Sequence, residues 1–337
     1  MRRSSDALGL WEREGLNRMD SQARGALGQA AREHERFLWG LCYRMTGVAA
    51  DADDLVQDVY ARALATPPER LDMLRPWLTR VAVNLARDHL RRRRREGYVG
   101  PWLPSPVETG DEEVLPAVEA RLPDGGSTEG RYELLESVSF AFLLALEALS
   151  PKQRAVLLLR DVFDYSVLEV AEALRMSEAN VKVVHHRARA AMAAYDQARC
   201  VPTRDVQART RASLEAFLGA LVTGDVAAAE ALLASDVRAL SDGGGKVRAA
   251  LVPIVGPQRV ILFLRRLMEM RGPPVAWEER MLNGLPAVVA VFNPGADPML
   301  ALHMVLRVDL DSRGRIHALH SVLVDRKLMG VRMPVPE

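Results

Sequence analysis

Apolar residues recur at spacings of three and four along three stretches between residues 31 and 95. This period predicts three or four amphipathic helices in one small bundle. The residues before it are polar and weakly periodic. We therefore expect a flexible N-terminal extension over residues 1–27 and a first helical domain over residues 28–97.

A second helical pattern predicts another all-α domain over residues 132–200. Ser150 precedes a proline, and Ser166 lies three residues before Glu169; both spacings are typical of helix starts. The residues after Ser166 predict a short helix, a tight turn and a longer helix that begins at Ser177. This is the layout of a helix-turn-helix.

Between the two helical blocks, residues 98–131 are rich in proline, glycine and acidic residues and lack a regular period, which predicts a linker. Beyond it, residues 203–337 predict helices first and strands later. We expect an α+β domain in which helices cover one face of a curved antiparallel sheet. The helices are expected at about 206–222, 226–234 and 257–270, and the strands at about 237–241, 275–282, 286–292, 300–309 and 315–323.

The distribution of charge changes this picture locally. The chain has 45 basic and 44 acidic residues, but residues 1–100 carry 18 basic and 14 acidic groups, while residues 100–136 carry 2 and 9. The linker is therefore acidic. Cys42 and Cys200 lie far apart and form no metal-ligand cluster, so we expect no disulfide, no metal site and no cofactor. The sequence shows no signal peptide and no apolar run of membrane-spanning length, which predicts a cytoplasmic protein without membrane contacts.

One candidate nucleic-acid surface is the segment RPWLTRVAVNLARDHLRRRRRE, residues 75–96, which reads as a helix that ends in five arginines. Arginine pairs with phosphate, asparagine reads a base edge, and tryptophan stacks on an unpaired base. The alternative is a solvated helix end whose cations suit the helix dipole. The candidate contacts are Trp77, Arg80, Asn84, Arg87, Asp88, Arg91 and Arg92.

The second candidate surface is the longer helix of the predicted helix-turn-helix, which would enter the major groove of DNA. We expect Val183 and Val184 to pack against the domain, and the adjacent histidines have no metal-ligand spacing with other residues. The alternative is a helical hairpin that only packs. The candidate contacts are Ser177, Asn180, Lys182, His185, His186, Arg187 and Arg189.

The third candidate is the acidic helix start ADADDLVQDV, residues 50–59. Its carboxylates Asp53, Asp54 and Asp58 suit the positive N-terminal end of a helix. No histidine or second carboxylate cluster lies at a helpful spacing. A protein-docking surface or plain solvation therefore explains the carboxylates better than catalysis, and we expect no catalytic residues.

In this order, the three segments resemble the bacterial sigma factors of the extracytoplasmic-function group, over roughly residues 30–96 and 132–198. The resemblance implies that residues 75–96 open the −10 element of promoter DNA and that the helix-turn-helix reads the −35 element. A loop at about residues 66–76 would capture a flipped base. It also implies that the acidic helix docks on core RNA polymerase, which offers its β′ clamp helices and its β subunit. The implied contacts are Asp53, Asp54, Leu55, Gln57 and Asp58.

Further motifs resemble the subgroup of these factors that carries a C-terminal SnoaL-like extension. They are Trp102-Leu103-Pro104 in the linker and Asp242-Gly243-Gly244-Gly245-Lys246 in the third domain, whereas a third motif is kept only as Lys327-Leu328. The resemblance implies regulation within the chain through these segments, without a separate anti-sigma factor. Three glycines also permit either an anion-binding nest or a tight turn, and the absence of a phosphate-loop spacing favours a turn against which another domain packs.

We therefore expect a non-enzymatic transcription initiation factor. A mechanistic hypothesis follows from the charges: the acidic linker, anchored near Trp102, competes with DNA for Arg91–Arg95 while the extension holds the helical domains closed. Two alternatives remain. A helix-turn-helix regulator would act without polymerase, and an isomerase or cyclase fused to a DNA-binding module would bind a small apolar ligand.

Overall fold

The structure is a computed structural model that describes residues 29, 33–66, 73–109, 136–197, 201–295 and 297–335. The predicted N-terminal extension, most of the acidic linker and the centre of the loop at 66–76 lie outside the described residues. So does Cys200. Within the described part of the chain, no helix is long and apolar enough to cross a membrane.

The first domain contains the helices α1 (Glu35–Thr46), α2 (Ala49–Ala65) and α3 (Leu74–Glu96). Every residue of α1 from 37 to 46 is buried, because other parts of the chain cover the face that the bundle leaves free. Gly47 ends α1 in the left-handed conformation, with φ +72°. A side chain at Gly47 would collide with the Trp102 ring, so this glycine allows the chain after α3 to pack close to α1.

The second domain confirms both predicted helix starts. Ser150 and Gln153 form a capping box, as do Ser166 and Glu169, and Arg175 makes the tight turn of the helix-turn-helix with φ +50°. The elements are α4 (Phe140–Ala145), a 3₁₀ turn (Leu146–Ala148), α5 (Pro151–Leu157), a π-helical turn (Leu158–Val162), α6 (Val167–Leu174) and α7 (Glu178–Gln197).

The third domain is the expected α+β unit, with helices over one face of a six-stranded sheet. Its helices are α8 (Arg204–Thr223), α9 (Val226–Ala231), α10 (Pro257–Arg271) and α11 (Asp325–Leu328). Its strands are β1 (Leu233–Asp242), β2 (Ile254–Val255), β3 (Ala276–Leu282), β4 (Leu285–Val291), β5 (His303–Leu310) and β6 (Ile316–Val322).

The sheet is mixed rather than purely antiparallel. Its strand order is β2-β1-β6-β5-β4-β3, and β3 to β6 form the expected antiparallel meander. After β2 the chain crosses to the opposite edge through α10 and returns strand by strand. As a result, β6 meets β1 running in the same direction, and this pair is parallel.

The chain that follows α3, residues 98–109, is not a solvated linker. We name it the strap, because it is extended and lies between the domains, where Leu103, Ser105 and Val107 are fully buried. The face of the sheet opposite the helices, here the outer face, packs against the strap and against Phe140 of α4. This contact joins the third domain to both helical domains.

Candidate functional site

The acidic side chains of α2 form an exposed surface. Asp53, Asp54, Gln57 and Asp58 are all exposed, and the Trp39 indole donates a hydrogen bond of 2.9 Å to Asp53 Oδ1. We call these four residues of α2 the acidic face. Leu55 does not belong to the acidic face, because its side chain is buried in the core of the first domain. The expectation that Leu55 contacts polymerase is corrected accordingly.

A helix of the third domain contacts the acidic face. Arg326 of α11 donates from Nη2 to Asp51 Oδ1 at 2.8 Å and to Asp54 Oδ2 at 2.6 Å. Beside this contact lies an open groove of about 440 Å³. Its lining includes Asp53, Asp54 and Gln57 of the acidic face together with Arg326 and Met329. The third domain thus lies against the surface that the sequence predicts to dock on polymerase.

Asp51 is the buried part of this contact. His89 Nε2 lies 3.0 Å from Asp51 Oδ2, so the carboxylate is held between a histidine of α3 and Arg326. Burial raises the pKa of Asp51, but the hydrogen bonds from His89 and Arg326 outweigh it and keep the pKa below its ordinary value. The hydrogen bonds that Arg326 donates, to Asp54 first and to Asp51 second, raise the pKa of Arg326.

The candidate −10 residues of α3 divide into two groups. Asn84, Asp88, Arg91 and Arg92 are exposed, whereas Trp77, Arg80 and Arg87 are half-buried. Trp77 packs beside the core shared by the first and second domains, so part of its ring is covered. Partial burial and the nearby charge of Arg175 lower the pKa of Arg80.

The helix-turn-helix domain lies directly against the start of α3. The guanidinium of Arg75 lies 4.9 Å from the Phe37 ring centroid and 5.3 Å from that of Tyr165, and its Nε donates to Tyr165 Oη at 3.2 Å. Thr79 Oγ1 and Tyr165 Oη are 3.1 Å apart. The start of α3 is therefore held against the helix-turn-helix domain.

Two arginines at the end of α3, Arg93 and Arg94, contact the second domain. Arg93 stacks on Trp102 at 4.6 Å, donates to Thr46 O at 3.2 Å and forms an ion pair with Glu147. Arg94 donates to Leu149 O at 3.2 Å. Most linker carboxylates lie outside the described residues, so their predicted competition with DNA stays a prediction.

The recognition helix α7 is open on one side. Ser177, Asn180, Lys182, His186, Arg187 and Arg189 are exposed, and His185 is half-buried. Asp161 holds two members of this set, since its Oδ1 lies 2.7 Å from His185 Nε2 and its Oδ2 accepts from Arg189 Nε at 3.0 Å. Val184 is buried as expected. The expectation for Val183 is wrong, because this side chain points away from the domain and is 49% exposed.

Asp242 and Lys327 form a buried ion pair at the centre of the interdomain contact. Lys327 Nζ donates to Asp242 Oδ2 and to Leu103 O, each at 2.6 Å, and lies 4.5 Å from the Trp102 ring centroid. Asp242 also accepts from Leu103 N at 2.8 Å and from Tyr98 Oη at 2.6 Å. Burial lowers the pKa of Lys327 to about 8, although Asp242 opposes the shift.

The glycines of the Asp242–Lys246 motif form a tight turn that faces the strap. Gly244 and Gly245 have φ of +55° and +71°, and a Cβ at either would lie about 3.0 Å from the third domain's Val324 or from Val99 of the strap. Lys246 itself is exposed. The cation beside Asp242 is instead Lys327, from the end of the chain.

Asn283, in the turn between β3 and β4, connects four segments. It is fully buried, with φ +52°. Its Nδ2 donates to Tyr43 Oη at 2.9 Å and to Val138 O at 2.7 Å, and its Oδ1 accepts from Val107 N at 3.0 Å. Tyr43 in turn donates to Ser105 O at 2.8 Å. One side chain thereby joins α1, the strap, the start of the second domain and the sheet.

The outer face of the sheet buries a charged cluster beneath Phe140. The Arg307 guanidinium lies 4.2 Å from the Phe140 ring centroid and donates to Asp309 Oδ1 at 2.5 Å. His320 Nδ1 lies 3.5 Å from Asp309 Oδ2. Burial lowers the pKa of His320 to about 4; Arg307 and His317 lower it further, and Asp309 opposes them. Among the described residues, no group of three metal-ligating side chains occurs.

Sequence reasoning missed three residues that join the domains. Lys327 was visible only as a remnant of a motif, although it is one of four lysines in the chain. Asn283 precedes Gly284 between two β-like runs, which is the signature of a hairpin turn. This signal predicts the turn but not the contacts that Asn283 makes. Arg326 carried no signal.

Family models match two parts of the chain. The model for Sigma-70 region 2 matches residues 30–96, and the model for Sigma-70 region 4 matches residues 139–192. These parts contain the first domain and most of the second. The third domain lies outside both matches.

Whole-chain relatives extend this similarity. The ECF RNA polymerase sigma factor SigJ of Mycobacterium tuberculosis is 31% identical over 308 residues, which covers 90% of this chain and 92% of SigJ. SigG of the same organism, another ECF RNA polymerase sigma factor, is 38% identical over 201 residues and covers 56% of this chain and 53% of SigG. The crystal structure of M. tuberculosis SigJ superposes with a TM-score of 0.63 at 28% identity, over 88% of this chain and 96% of that one.

Proposed function

The chain belongs to the ECF RNA polymerase sigma factors, and from this membership we propose that it directs core RNA polymerase to specific promoters, opens their −10 element and is held in check by its own third domain. The acidic face binds a basic surface of polymerase on the β′ clamp helices. The α3 helix binds the −10 element, and α7 binds the −35 element.

The observation that carries the regulatory part is the closed arrangement of the DNA-binding helices. The two promoter elements are about 25 base pairs apart, or roughly 85 Å at 3.4 Å per base pair. The α3 and α7 helices have 23 and 20 residues, so they are about 35 Å and 30 Å long. Thr79 of α3 lies 3.1 Å from Tyr165, which precedes α6, so α3 is held against the domain that carries α7. In this arrangement the two helices cannot reach both elements together. Initiation therefore requires the domains to separate.

Arg326 adds a direct competition for the acidic face. A polymerase surface that pairs with Asp54 must displace this arginine, which already bonds both Asp51 and Asp54. Arg326 and Asp54 are 47% and 65% exposed, so the ion pair between them is weak enough to exchange. We infer that polymerase binding and the release of α11 are coupled. A separate anti-sigma factor is not needed for this inhibition.

We propose a regulatory rather than a catalytic role for the third domain. The polar residues on the outer face of its sheet, including His320 and Asp309, lie beneath Phe140. The opposite face is filled by apolar side chains of α8, α9 and α10. Both faces of the sheet are thus used for packing.

Charge reversal at the acidic face tests the proposal. In the full-length protein, Asp54→Arg should abolish binding to purified core polymerase, whereas Arg326→Glu should strengthen binding by up to about fivefold, the range of an exposed ion pair. Arg313→Glu reverses another exposed arginine of the same domain and serves as the matched control. Point substitutions are preferable to deleting residues 203–337, since the deletion would uncover Leu103 and Phe140.

Two results would contradict the proposal. The first is that the wild-type protein does not associate with core polymerase. The second is that it associates but does not start transcription from any sequence in a promoter library. A helix-turn-helix regulator that acts without polymerase would give the first result. If polymerase binds Arg326→Glu and Arg313→Glu alike, the sigma function stands and the competition at Arg326 fails.

A further inference from the structure

Val183 lies outside the core of the second domain. On the same helix, Val181 is fully buried and Val184 nearly so, while Val183 is 49% exposed. Valine is also a poorer helix former than alanine at an exposed position, because its branched side chain loses freedom against the preceding turn. Neither local propensity nor core packing accounts for a valine at this position.

The neighbours of Val183 give its face a chemical character. Residues three and four positions apart share a helix face, so Val183 lies beside Asn180 on one side and beside His186 and Arg187 on the other. All three are exposed. An apolar side chain surrounded by an amide, an imidazole and a guanidinium fits the major groove of DNA, where methyl groups, base edges and phosphates lie close together.

Resting on the proposed function of α7 as the −35 reader, we propose that Val183 is a specificity-determining residue that contacts the 5-methyl group of a thymine. Thymine is the base that presents a methyl group in the major groove. A valine in a helix has one strongly preferred rotamer, so its methyl groups are positioned before DNA binds.

The position of Asn180 sharpens the assignment. Three residues along a helix correspond to about 4.5 Å, close to the spacing of about 3.4 Å between base pairs. Asn180 and Val183 thus face adjacent base pairs, and asparagine pairs with the N6 and N7 atoms of adenine. The expected −35 sequence contains an adenine next to the thymine that Val183 contacts.

The test uses the full chain with core polymerase and the −35 duplexes that this holoenzyme selects from a random library. Each thymine of the selected site is replaced in turn by deoxyuridine, which lacks only the 5-methyl group. We expect one replacement to weaken wild-type binding about fourfold, the factor associated with burial of one methyl-sized group. The Val183→Ala variant should bind duplexes with thymine or uracil at that position equally well. At the other thymines, its binding should depend on the 5-methyl group as it does in the wild type.

The matched control is Val222→Ala, which truncates another exposed valine on a helix, 74% exposed on α8. It should behave as the wild type. Selection of no duplex by the wild-type holoenzyme would overturn the proposed function. A selected site whose methyl dependence is unchanged in Val183→Ala, or is absent in the wild type, would overturn the role of Val183 and leave the proposed function standing.

Discussion

The acidic face of α2 and the recognition helix α7 are both exposed, charged helix surfaces, yet they differ in their contacts with the third domain. Arg326 bonds Asp54 on the first surface. On the second, Asn180, Val183 and Arg187 remain exposed in the same closed form. In the proposed mechanism, exposure of α7 therefore does not limit initiation. The closed form would instead restrict polymerase docking and the distance between α3 and α7.

The contact at α2 is positioned by the buried pair behind it. Arg326 and Lys327 are neighbours on the short helix α11, and Lys327 is fixed by Asp242 and the carbonyl of Leu103. A four-residue helix has little stability of its own. The buried Lys327 thus holds Arg326 near the acidic face, so a strong interior contact orients a weak and exchangeable one.

Removal of the buried lysine should therefore have the largest effect. Lys327→Met leaves the carboxylate of Asp242 buried without its cation, a change that typically costs about 3–5 kcal/mol. We expect a lower free energy of unfolding in urea, faster hydrogen exchange at the Leu103 amide, and polymerase binding stronger than that of Arg326→Glu.

The matched control for this experiment is the double variant Lys327→Met with Asp242→Asn. A neutral amide still reaches Leu103 and Tyr98, and it removes the unpaired charge. The double variant should therefore regain part of the lost stability. If Lys327→Met keeps both the stability and the exchange rate of the wild type, the buried pair does not hold the closed form.

The contrast also marks what the sequence could predict. Helix starts depend on residues three positions apart, so Ser150 and Ser166 could be identified without tertiary information. Strand alternation likewise predicted the meander from β3 to β6. The exposed residues of α7, Val183 apart, could be predicted from the period of this one helix.

Contacts between distant segments could not be predicted in this way. The strap has no regular hydrophobic period, because its neighbours are two domains and a sheet edge rather than one repeating surface. Its prolines also resemble those of a linker. Leu55 shows the opposite error, since a motif suggested an outward contact for a side chain that the helical period directs inward. Asn283 joins residues more than 100 positions away, which no local spacing records.

Acidification should loosen the closed form at the outer face of the sheet, with the next largest effect. The pKa of His320 is about 4 in the folded protein against about 6.5 when exposed, so between these values the unfolded chain binds a proton that the folded one does not. Stability then falls as the pH falls, by about 1.4 kcal/mol per unit and on the order of 3 kcal/mol by pH 4.

Urea unfolding of wild type and His320→Gln at pH 7 and pH 4.5 measures this contribution. The pKa values of Asp51 and Asp309 are lowered, so protonation of these carboxylates destabilises both proteins only at lower pH. The difference between the two proteins therefore isolates the histidine. An equal loss of stability in both would show that His320 is not responsible.

The smallest effect is expected at the recognition helix, and it separates the two surfaces most directly. Arg187→Ala removes one predicted phosphate contact, which should weaken binding to the −35 duplex a few-fold and reduce the salt slope by about one. Because α7 is already exposed, the same loss is expected in the wild type and in Lys327→Met. Polymerase binding should show the reverse pattern, since it responds to Lys327→Met and not to Arg187→Ala. If the effect of Arg187→Ala on duplex binding changes several-fold when Lys327 is replaced, the third domain also restricts α7, and the two surfaces are not independent.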